Sequence, residues 1–68
     1  MRAWLKEERL KKGYTMAQMG EKLGITESYY SLIEAGERQK SMDISLAVKL
    51  AKIFSMSTLQ IVELEETA

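Results

Sequence analysis

Lys22-Leu23-Gly24-Ile25-Thr26-Glu27-Ser28-Tyr29-Tyr30-Ser31-Leu32-Ile33-Glu34-Ala35-Gly36-Glu37-Arg38 joins the end of one helix to the whole of the next. Leu23 lies four residues after Met19, so both face one side of a helix. Gly24 supplies the left-handed residue on which such a helix ends. Thr26 is an N-cap residue type and opens the next helix, from Glu27 to Ala35, which Gly36 closes. Tyr30 and Ile33 share its inward face. The connection Gly24-Ile25-Thr26 is so short that the two helices must cross steeply, with Ile25 pinned between them.

Upstream, Thr15-Met16-Ala17-Gln18 is a capping box that starts the second helix. A first helix from about Arg2 to Lys12 is rich in good helix formers and stops at Gly13. Its apolar stripe is poor: Trp4 and Leu5 are adjacent, and Glu8 stands where the next apolar contact belongs. Downstream, a polar loop from Glu37 to Met42 leads to Asp43, the cap of a fourth helix from Ile44 to Phe54. Ile44, Ala47, Leu50, Ala51 and Phe54 predict its inward stripe. Ser57-Thr58-Leu59-Gln60 is another capping box and opens a short fifth helix carrying Leu59, Ile61, Val62 and Leu64. The acidic end, 63–68, is expected to fray. No segment alternates apolar and polar residues as a half-buried strand does. The reading is an all-α, five-helix single domain over residues 1–68.

The chain of 68 residues has neither cysteine nor histidine. Disulfides and thiol chemistry are therefore excluded, and zinc loses both of its preferred ligand types. The commonest general base is missing too. With no glycine-rich phosphate loop and no carboxylate pair in a plausible pocket, nothing supports an enzyme, a metal site or a cofactor. The start, Met1 to Lys6, lacks the apolar region of a signal peptide, and no apolar run spans a bilayer. A cytoplasmic protein without membrane or small-molecule partners is expected. Formal net charge is zero, but Glu63, Glu65 and Glu66 crowd the end; residues 1–62 hold ten basic and seven acidic side chains, a net +3.

Two capped helices on a tight glycine turn suit the DNA major groove, which admits one helix while the other crosses the backbone. The helix openings at Thr15-Met16 and Thr26-Glu27 present free N–H groups that bind phosphate.

Residues 5 to 64 resemble the Cro/CI-type (XRE) helix-turn-helix family of phage repressors and bacterial regulators. The resemblance is carried by Gly13-Tyr14-Thr15, by Met19 to Thr26, by Ser31 to Arg38 and by Lys49-Leu50-Ala51-Lys52. It implies a lambda-repressor-like domain whose second and third helices form the helix-turn-helix. The implied function is that of a sequence-specific double-stranded DNA-binding transcriptional regulator, a repressor acting as a homodimer on a palindromic operator. A bacterial or phage-encoded, nucleoid-associated setting follows from the same resemblance. The alternative is a protein-interaction module, the partner of a toxin or an antirepressor, with weak DNA binding.

The resemblance also assigns roles. On the third helix, Ser28, Leu32 and Ala35 point outward, flanked by Tyr29 and Ser31. Glu27, Ser28 and Leu32 would read bases: Leu32 against a thymine methyl, Glu27 against cytosine N4. An exposed leucine is also ordinary, and a carboxylate at a helix N-terminus is favourable in itself. Thr15, Met16, Thr26, Tyr29, Ser31, Arg38 and Lys40 would meet the DNA backbone; the bland alternatives are a structural tyrosine at Tyr29 and a solvated loop at Arg38 and Lys40. Arg9 and Glu34 match an ion pair that ties the first helix to the third. Leu59, Ile61, Val62 and Leu64 would form the dimer surface, or else simply close the core. The chain departs from the pattern at Met16, where glutamine is usual, at Gly20 for alanine, at Glu8 for an apolar residue, and in a longer loop before the fourth helix.

Overall fold

Five helices follow one another in the computed structural model, which describes residues 1–67: α1 Ala3–Lys12, α2 Met16–Leu23, α3 Glu27–Ala35, α4 Ile44–Phe54 and α5 Thr58–Thr67. No strand is present among the described residues. Ala68 lies outside them.

Local chemistry accounts for the boundaries. The Thr15 hydroxyl accepts the Gln18 N–H at 3.1 Å while Gln18 Oε1 accepts the Thr15 N–H at 2.8 Å. Ser57 and Gln60 repeat this reciprocal pair ahead of α5. The Thr26 hydroxyl accepts from Tyr29 N–H, and the Asp43 carboxylate from Leu46 N–H. Each cap satisfies a first-turn donor that has no partner inside its helix. Gly24 ends α2 at φ 73°, in the left-handed region that glycine enters without a Cβ penalty. Ser55 takes the same role after α4 at φ 56° despite its side chain.

The core draws on every helix: Trp4 and Leu5 from α1, Met19 and Leu23 from α2, Tyr30 and Ile33 from α3, Leu46, Ala47, Leu50, Ala51 and Phe54 from α4, and Ile61 from α5. Three expectations need correcting. Ile44 is 71% exposed and Leu46 is buried in its stead. Helix side chains lean toward the N-terminus, so a residue of the first turn overhangs the end of the surface its helix packs on. Ile61, placed on a dimer surface from sequence, is fully buried: it is the only core residue α5 supplies among the described residues. The acidic end does not peel away within the described residues; α5 runs on to Thr67, and Glu65 is held by Arg2 and Trp4.

The sparse apolar stripe of α1 is completed by a charge. Arg9 takes a buried position beside Trp4 and Leu5, which its ion pair makes tolerable. Glu8 instead meets exposed Lys11 at 3.2 Å, a surface pair of little energetic weight.

Candidate nucleic-acid interface

α2 and α3 approach closely at Gly20. A Cβ built there would lie 2.9 Å from the Ile25 carbonyl oxygen and 3.1 Å from Glu27 N. The backbone entering α3 therefore rests directly on α2. Ile25 N–H donates to the Gly20 carbonyl at 2.8 Å and fastens the turn, with the Ile25 side chain half-buried against the core.

The other end of α3 is held by two arginines. Arg9 Nε donates to Glu34 Oε2 at 2.9 Å and Nη2 to Oε1 at 3.1 Å, a two-pronged pair buried on both sides. Arg9 Nη1 also donates to the Tyr14 carbonyl at 3.0 Å. The hydrogen bond to Glu34 holds the Arg9 guanidinium above its ordinary range, so it stays cationic. Tyr30 lies in the same cluster. Burial pushes its hydroxyl up, Glu34 adds to the shift, and the oxygen has no partner in hydrogen-bonding geometry.

The second arginine, Arg2, stood in the sequence reading only as the approximate start of the first helix. It precedes α1 and is 5% exposed. Its Nη1 donates to the Ile33 carbonyl at 2.6 Å and the Arg38 carbonyl at 3.0 Å, and its Nη2 to the Gln39 carbonyl. Its backbone N–H reaches the Glu34 carbonyl at 2.8 Å. Glu65 Oε1 accepts both Arg2 Nε at 2.7 Å and Trp4 Nε1 at 2.9 Å. No motif announces such a residue, because every partner is distant in sequence.

With α3 fixed at both ends, its free face is defined. Glu27, Ser28 and Ala35 are exposed, while Leu32, Ser31 and Tyr29 are half-buried. Leu32 is thus less open than the helical wheel implies, and Tyr29 packs partly on the core. Arg38 and Lys40 are exposed on the loop after α3. At the start of α2, Thr15 is exposed, but the Met16 side chain packs against the core. What Met16 offers outward is its backbone. Among the described residues, nothing accepts the N–H groups of Met16 and Ala17, or those of Glu27 and Ser28 at the start of α3. Lys22, 4.5 Å from the centre of the Tyr14 ring, adds a cation on α2 that sequence reading had not singled out.

The exposed proposed contacts thus comprise two helix N-termini and the α3 face, followed in the chain by Arg38 and Lys40. Such an arrangement can enter a groove with a helix and grip phosphates with amides and cations. Of the residues predicted for a dimer surface, Leu59 is exposed, Val62 and Leu64 are half-buried, and Ile61 is inside.

A helix-turn-helix family model matches residues 5–61. The uncharacterized HTH-type transcriptional regulator YgzD of Bacillus subtilis (strain 168) is 36% identical over 66 residues, 97% of each chain. The uncharacterized HTH-type transcriptional regulator YqaF of the same organism is 42% identical over 45 residues, 66% of this chain and 59% of its own length. No solved structure is a significant match. A match over this much of the chain, on an all-helical frame with the tight α2–α3 turn, shows the family: the chain belongs to the Cro/CI-type (XRE) helix-turn-helix family of DNA-binding transcriptional regulators.

Proposed function

We propose that this chain binds a specific double-stranded DNA site as a homodimer and represses transcription there, acting in the cytoplasm without a catalytic step. The observation that carries the reading is the exposed N-terminal face of α3, fixed at one end by Gly20 and at the other by Arg9 and Arg2. Glu27, Ser28 and Leu32 read base edges, Leu32 through the part of its side chain that remains open. The amides at the starts of α2 and α3, the hydroxyls of Thr15 and Ser31, Tyr29, Arg38 and Lys40 hold the backbone. Thr26 contributes by shaping the α3 opening. Exposed Leu59 with Val62 and Leu64 forms the contact between copies.

Fluorescence anisotropy against the chain's own promoter DNA tests the base and backbone assignments. Affinity falls with rising salt, and Arg38→Ala lowers the salt slope by about 1 while weakening all sequences alike. Leu32→Ala costs about 1–3 kcal/mol on the preferred site only. Affinity indifferent to salt and to both substitutions would remove the reading.

Two observations favour a second reading, a protein-interaction module. Net charge is zero, and the Met16 side chain packs partly against the core. A stoichiometric protein partner recovered with the chain, with no retention on DNA, would select it.

A further inference from the structure

We propose that Arg2 and Glu65 form a clamp that positions the 36–43 loop, and with it the backbone-gripping Arg38 and Lys40, a role resting on the DNA-binding reading. The loop needs holding. Gln39 sits at φ 54°, a left-handed backbone that residues with side chains rarely adopt. It is stabilised from two sides: its carbonyl accepts from Arg2, and its side-chain Oε1 accepts the Asp43 N–H at 3.1 Å.

Arg2 takes the carbonyls of Arg38 and Gln39 on one side of the loop, and both cationic side chains, Arg38 and Lys40, are exposed. The same guanidinium binds Ile33 O, among the last carbonyls of α3, where the helix dipole favours positive charge. One side chain thus ties the end of the recognition helix to the loop that follows it. Glu65 completes the clamp. It neutralises a nearly buried guanidinium and is itself pinned by Trp4. Because Glu65 lies on α5, three residues beyond Val62, the seat of the loop depends on the helix proposed to join two copies.

The test uses Glu65→Gln, which removes the charge but leaves an acceptor, together with Arg2→Lys, which keeps the charge but loses the planar fork. If Arg2→Lys unfolds the chain, Glu65→Gln carries the test. Ile53→Ala, on α4 away from the clamp, serves as a control for general destabilisation. The first readout is amide hydrogen exchange without DNA. Faster exchange confined to residues 36–43, absent from the control, supports the clamp; unchanged loop exchange overturns it. The second is the salt dependence of DNA affinity. Glu65→Gln lowers the slope by about 1–2, the worth of the two loop cations, and adds nothing further in an Arg38→Ala/Lys40→Ala background. A full slope despite a loosened loop, or an undiminished effect in that background, overturns the positioning role. Absence of DNA binding by the unsubstituted chain would instead be a failure of the DNA-binding reading, and loop exchange would still decide whether the clamp exists.

Discussion

Arg9 and Glu34 illustrate how one pair of side chains helps to hold α3 in place. Both are almost entirely buried, so neither charge is satisfied by water once its partner is gone. Glu34→Gln leaves the Arg9 cation inside the fold and costs about 3 kcal/mol or more. In a domain this small that lowers the melting temperature by more than about 12 °C. Calorimetry on the single variant and on Arg9→Met/Glu34→Leu checks the account, because the paired apolar replacement should recover most of the loss. Tyr30 makes the opposite prediction. Its hydroxyl is buried without a partner, so Tyr30→Phe should be neutral or slightly stabilising near pH 7. Its folded pKa is raised above the ordinary value of about 10, so at higher pH the unfolded chain releases a proton that the folded chain retains. Stability contributed by Tyr30 is therefore whole below about pH 10 and declines above it. Urea titrations across that range should show a shallower alkaline decline for Tyr30→Phe; identical curves would contradict the assignment.

Gly20 shows a conflict between a helix and its neighbour. Alanine would favour α2 by about 1 kcal/mol on propensity alone. Its Cβ, however, would meet backbone atoms of Ile25, Thr26 and Glu27, none of which can rotate away. Gly20→Ala is expected to lower the melting temperature and to displace the start of α3, reducing DNA affinity by more than the stability loss explains. A more stable variant with unchanged affinity would refute this. The caps and glycine turns that bound these elements were legible in sequence because each is a local device: Thr15 with Gln18, Thr26 with Tyr29 N–H, Gly24 after Leu23. The ion pair of Arg9 and Glu34 was reached through family resemblance. What local pattern could not supply was whatever depends on distant packing. Arg2 finds its partners only after α3 and α5 have folded around it. Ile44 and Leu46 are equally apolar, and only the place where α4 leaves the core decides which is covered. Ile61 and Leu59 look alike on a short helix until its contact with α4 is made.

The described residues span 25 × 24 × 20 Å. Half-sites read from one face of DNA lie about 34 Å apart, so two such bodies in contact can reach both only if their recognition helices lie outward of the contact. A modest charge, with two exposed cations after α3, leaves a single copy with few phosphate contacts. Affinity is therefore expected to depend on assembly. Leu59→Asp should leave the fold intact, reduce self-association in sedimentation equilibrium and weaken DNA binding, whereas Ile61→Asp should unfold the chain. Unaltered association in Leu59→Asp would place the contact elsewhere. Selection of bound sites from random duplex DNA tests whether α3 reads sequence. The expected result is enrichment of an inverted repeat with half-site centres about 10 base pairs apart, whose preferred bases change when Ser28 or Leu32 is replaced. A bound pool no different from the starting library would contradict it.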